Sequence, residues 1–133
     1  MTQTTSISTK ELQRQATLCF VGKTLNVMLC SAGTSGFTKE STVAQWQSVE
    51  KTEAGYTRYS GVVASGSYDN SLGLYRIPDI DVEFTPTTSM NYDTVILYFT
   101  GETYIHSIIS ESPAIALYPG QTQTYRISLR QDD

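Results

Sequence analysis

The chain has 133 residues, of which 39% are hydrophobic and 17% charged, and its formal net charge is −4. Both fractions lie below globular averages of roughly 45–50% and 25%. Thr, Ser and Gln fill the gap rather than charge, so the disorder signature of low hydropathy with high net charge is absent, and the length fits one domain with a core that needs no staples. The nine cations run singly from Lys10 to Arg130 and form no cluster that could release phosphate counterions, which argues against a nucleic-acid partner. A lone histidine, His106, stands among 19 Thr, 15 Ser and 9 Tyr, a poor supply of acid, base or metal chemistry.

Residues 1–8 are polar and have no apolar set with which to fold, so they read as a flexible N-terminal arm ahead of a single domain over 9–133. The arm has neither the basic region nor the apolar region of a secretory leader, and no window approaches the roughly 18 apolar residues of a membrane span. From Thr9 a two-turn helix is predicted: Thr9 caps, Glu11 sits in the first turn, and Leu12 and Ala16 share a face. Cys19 and Cys30 cannot make a zinc site with only His106 to help. They read as buried thiols, with a cross-strand disulfide as the alternative.

The period then changes to two. Thr24–Leu29 predicts a half-buried strand with Leu25, Val27 and Leu29 inward and Asn26 and Met28 outward. Ser31–Gly36 is a small-residue loop, and Thr38–Trp46 either starts a helix or wraps over the core, with Trp46 as a core plug or an interface anchor. A strand over Val62–Ala64 and a turn cluster over Ser65–Ser71 follow. Ile80–Phe84 alternates cleanly behind Pro78, and Thr94–Phe99 is apolar on both faces, as a covered central strand would be. Gly101-Glu102 turns the chain into a strand over Tyr104–Ile109, and another spans Ala114–Tyr118. Pro119-Gly120 fits the centre of a type II turn, and Gln123–Arg130 closes the fold with Tyr125, Ile127 and Leu129 inward. Strands at this spacing predict an all-β antiparallel sandwich, jelly-roll or immunoglobulin-like, with its core on Leu25, Val27, Leu29, Val82, Phe84, Val95, Leu97, Ile127 and Leu129.

No set of residues converges on chemistry. Asp79, Asp81 and Glu83 could suggest calcium, but they lack the glycine and terminal glutamate of a calcium loop and read as a solvated strand face. Gly33-Thr-Ser-Gly36 lacks the lysine of a phosphate loop, no Gly-x-Ser-x-Gly elbow occurs, and His106 reads as structural. The sequence therefore predicts no catalytic, cofactor-binding or metal residues and a protein that is not an enzyme.

The run Lys23–Leu29, then Thr38–Trp46, then Gly55-Tyr56-Thr57-Arg58, with Pro113–Gly120 and Tyr125–Leu129 at the end, resembles the layout of small structural proteins of tailed bacteriophages over roughly residues 10–130. The resemblance carries over no catalytic residue. It implies a virion component assembled in the host cytoplasm, foremost a capsid decoration or cement protein that binds the major capsid protein, as a trimer or another closed ring. Tail, adaptor or baseplate roles are its alternatives, and a carbohydrate- or receptor-binding β module is a reading of another class, since tyrosines and Trp46 can stack on sugars. Because the arm has no apolar set, deleting residues 2–8 should leave the melting temperature nearly unchanged while weakening assembly, as read by calorimetry and sedimentation; loss of the folded domain would place the arm in the core.

Overall fold

The computed structural model describes residues 20–69 and 74–129, with the backbone alone at residues 68, 69 and 74–76. The predicted arm, the helix from Thr9, Cys19 and Arg130 lie outside the described residues. The described residues are mostly strand with one short helix, in the order β1 (Thr24–Cys30), α1 (Val43–Gln47), β2 (Tyr59–Val62), β3 (Ser67–Asp69), β4 (Leu74–Arg76), β5 (Ile80–Phe84), β6 (Met90–Phe99), β7 (Ser107–Leu117) and β8 (Gln123–Ile127). All pairing is antiparallel: an open four-stranded sheet in the order β2-β1-β6-β7, a β3-β4 hairpin and a β5-β8 ribbon.

The alternation of β1 and β6 builds two cores on opposite faces of one sheet. Leu25, Val27 and Leu29 of β1 and Val95, Leu97 and Phe99 of β6 point to one side, where Val82, Phe84, Ile127 and Leu129 of the ribbon segment meet them. All nine residues expected in the core fall into this cluster. The other set, Met28, Cys30, Ile96 and Tyr98, is covered by Val43 and Trp46 of the segment between β1 and β2. β1 is therefore buried on both faces, not half-buried as its polar Asn26 suggested. Asn26 is only 5% exposed because its amide is fully used: it donates to the Thr100 hydroxyl at 2.9 Å and accepts from the Ser60 hydroxyl. The reading of 94–99 as a covered central strand holds, and β6 starts four residues earlier, at Met90.

The covering segment contains both predicted options, an excursion and a helix. Thr42 and Gln45 form a capping box, Gln45 N–H donating to Thr42 Oγ1 at 3.2 Å and Thr42 N–H to Gln45 Oε1 at 2.8 Å. Trp46, 1% exposed, donates its indole N–H to the Thr38 carbonyl at 3.1 Å with the Phe37 ring edge-on, so it is a core plug.

Three boundaries differ from expectation. The strand predicted at 62–64 is β2, ending at Val62, because Tyr59–Val62 is the stretch in register with Val27–Thr24. The turn cluster at 65–71 holds β3, which pairs with β4 through backbone bonds that side-chain polarity does not forbid. The strands expected at 104–109 and 114–118 are one strand, β7, paired with β6 along its length. Thr94 faces Ser110 but Tyr92 faces Ile115, so β7 carries a bulge around Glu111–Ala114, with a cis peptide at Ser112–Pro113. Pro119-Gly120 does turn the chain: Gln121 N–H bonds the Tyr118 carbonyl at 3.0 Å, with Gly120 at φ 81°.

Leu97 sits between Val27 and Ser107 in the ladder and is 3% exposed. Leu97→Ala should destabilise the protein by about 2–5 kcal/mol, measured by denaturant unfolding.

Candidate functional site

Ionisable side chains near the sheet are spent on one another. Glu50, beside the end of β1, accepts from the Tyr56 hydroxyl at 2.7 Å and from Nε and Nη2 of Arg58. Arg58 Nη1 donates to the Tyr98 hydroxyl at 2.6 Å, and the guanidinium lies over the Tyr98 ring. Tyr56 in turn accepts the Leu29 N–H at 2.9 Å. The hydrogen bond to Glu50 holds the Arg58 pKa above its ordinary value, and burial pushes Tyr56 well above the tyrosine range. These groups lock a loop onto β1 and β6.

Asp93 is spent in the same way. It accepts from Ala32 N–H at 2.7 Å, Gly33 N–H at 3.4 Å and the Thr94 hydroxyl at 2.9 Å. Partial burial pushes its pKa up, but these hydrogen bonds outweigh burial and hold it below the usual carboxylate value. The Ser31–Gly36 loop thus offers two of its amides, those of Ala32 and Gly33, to a carboxylate of its own chain.

At the bulge of β7 a third chain of bonds joins three strands. Tyr92 and Tyr125 share a hydrogen bond of 2.6 Å, and Tyr125 donates to Glu111 Oε1 at 3.1 Å. Burial raises the pKa of both tyrosines. The sequence hides this set, since residues 92, 111 and 125 belong to strands that only the fold brings together.

The residues weighed in the sequence are kept apart. Asp79 accepts from Ser128 at 2.7 Å, Asp81 pairs with Arg126 at 3.0 Å, and Glu83 is exposed on the same outer face of the ribbon. Among the described residues no group of three or more His, Cys, Asp or Glu could hold a metal. His106 precedes β7 rather than lying within a strand, its ring edge-on to Phe20 and Phe99 and its Nδ1 3.1 Å from Ser107 Oγ. Cys30 is a free, buried thiol whose pKa burial pushes up to about 12. Tyr56, Tyr59, Tyr92, Tyr98 and Tyr125 are buried or half-buried, while among the described side chains the exposed rings, Tyr104 and Tyr118, stand beyond opposite ends of β7.

What the fold does offer outward is an edge. β7 is 11 residues long and ends the four-stranded sheet; among the described residues it pairs only with β6. Ser110, Ser112, Pro113, Ala114 and Ala116 are exposed along it. Pro113, which has no N–H, and the bulge interrupt the row of backbone groups that an edge strand presents to another chain. The segments on either side of the bulge keep theirs. Among the described residues no helix is long and apolar enough to cross a membrane. Comparison with protein-family models, curated proteins and solved structures yields no match.

The three buried hydroxyls set an alkaline limit. Tyr56, Tyr92 and Tyr125 keep their protons in the folded state at pH values where an unfolded tyrosine, at about 10, has lost its own. The unfolded chain then binds fewer protons, so stability is intact below pH 10 and falls as pH rises beyond it. Titration at 295 nm should show Tyr56, Tyr92 and Tyr125 ionising only in a cooperative step that coincides with loss of the β signal.

Proposed function

We propose that this chain is a non-enzymatic assembly module, a structural protein of a virion of the tailed-phage kind. The observation that carries the reading is the long outer edge of β7, on a module whose near-buried ionisable groups are already bonded to one another. An edge strand gains backbone partners in a ring or lattice without any catalytic group, and a hydroxyl-rich, acidic surface suits a part used in many copies. The leading form is a capsid decoration or cement protein, closed as a trimer or similar ring and clamping neighbouring major capsid subunits. In this reading the β5-β8 ribbon over the four-stranded sheet is the second layer of a jelly-roll or immunoglobulin-like sandwich.

A tail, adaptor or baseplate part would use the same edge at low copy number. A carbohydrate-binding module is favoured less, because among the described side chains the exposed tyrosines, Tyr104 and Tyr118, stand beyond opposite ends of β7. A cement protein stabilises by mass action: it binds the assembled lattice and not the free subunits, and many weak contacts add through multivalency. The protein should be recovered with empty heads in near-stoichiometric ratio to the major capsid protein, and heads carrying it should disrupt at a higher temperature than heads without it. Equal disruption temperatures would remove the cement role, and co-purification with tails at low copy would favour the tail role.

A further inference from the structure

The two cores share β1 and β6 but no covering residue. None of the sixteen buried residues of the first core, nor the half-buried ones packed on it, comes from residues 31–49, whereas Val43 and Trp46 of that segment are the covering third of the smaller core. The segment also begins and ends at one place. Cys30 bridges Glu50, Ser31 N–H bonds the Val49 carbonyl at 3.0 Å, and Lys51 N–H bonds the Leu29 carbonyl at 2.9 Å, so the chain leaves β1 and returns beside its own point of departure, as in an Ω-loop. The Glu50–Arg58–Tyr56 network lies just past that return and anchors the hinge.

Between its ends the segment is held at few points. Thr42 bridges Tyr104, Val43 N–H bonds the Thr103 carbonyl at 2.8 Å, Asp93 holds the amides of Ala32 and Gly33, Gln47 Nε2 donates to the Tyr98 hydroxyl at 3.4 Å, and Lys51 Nζ donates to the Ser31 hydroxyl at 3.3 Å. Each of these bonds is exchanged for water when broken, and none belongs to the β2-β1-β6-β7 ladder. We propose that residues 31–49 form a hinged strap that opens as a unit, uncovering Met28, Cys30, Ile96 and Tyr98 on one face of the sheet while the first core stays folded. The opening costs one small core in place of two, so it is more frequent than global unfolding. This inference does not depend on the assembly role.

Cys30 is a built-in reporter, since its sulfur lies 3.5 Å from the Trp46 carbonyl beneath the strap. The experiment is alkylation of the full chain with iodoacetamide in native buffer, read by peptide mass spectrometry so that Cys30 is separated from Cys19, alongside amide exchange in β5 and β8. The opening frequency read at Cys30 should exceed that of the slowest β5 and β8 amides by tenfold or more. Val43→Ala should raise Cys30 alkylation about tenfold, whereas Ile127→Val in the first core should raise the opening of the slowest β5 and β8 amides about fivefold and leave Cys30 alkylation unchanged. Alkylation no more frequent than the slowest amide opening, or an Ile127→Val variant that raises Cys30 alkylation and ribbon opening together, would overturn the strap. If either variant fails to fold, the wild-type comparison alone decides.

Discussion

The β1·β6 pair is the constraint on which the rest depends. Both strands are buried on both faces, and each face supports a different covering structure: the β5-β8 ribbon on one side and the α1 segment on the other. Burying a strand twice requires that its polar side chains find partners without water, since an unbonded buried amide costs on the order of 1–3 kcal/mol. Asn26 meets that requirement through Thr100 and Ser60, and Thr94 meets it through Asp93. The hydroxyl-rich composition thus has a structural use: short Ser and Thr side chains satisfy buried groups at small volume.

The same economy governs charge. Glu50 and Arg58, Asp93 and the loop amides, and Glu111 with two tyrosines each fasten an irregular segment to the sheet. Ordering a loop costs conformational entropy of roughly 1–2 kcal/mol per residue, and long excursions such as the one between β1 and β2 need anchors beyond their few apolar contacts. Carboxylates used as anchors are not available as bases. This is the ground on which the scaffold role is proposed: Glu50, Asp93 and Glu111 are bonded to neighbouring segments, and the outer strand β7 offers an edge.

That edge is itself managed. A flat, unbroken edge of 11 residues would invite indiscriminate pairing, and the bulge with Pro113 divides β7 into two shorter stretches. In the proposed assembly role such an edge would have to be selective as well as available, and an interrupted edge favours a partner shaped to it over any exposed strand. The tyrosine pair at the bulge fixes where the interruption falls, because Tyr92, Glu111 and Tyr125 tie β6, β7 and β8 at that level.

Local pattern determined much of this protein. The alternation in 24–29, 80–84 and 123–129 and the two-faced apolarity of 94–99 determined the strands, their inward sets and the nine core positions, because period-two burial depends only on neighbours in the chain. Pro119-Gly120 specified its own turn, and Thr42-x-x-Gln45 was a legible helix start that hydroxyl abundance obscured. Tertiary structure alone decided that Asn26 faces a second core, that 104–118 is largely one bulged strand, and that Ser67–Asp69 pairs at all. Each of these rests on which distant backbone lies alongside, and the hydrogen-bonding groups of the backbone are identical at every residue, so their pairing leaves no mark in the side-chain pattern. The three polar networks were beyond sequence for the same reason: their members are separated along the chain and meet only once the sheet has set the register.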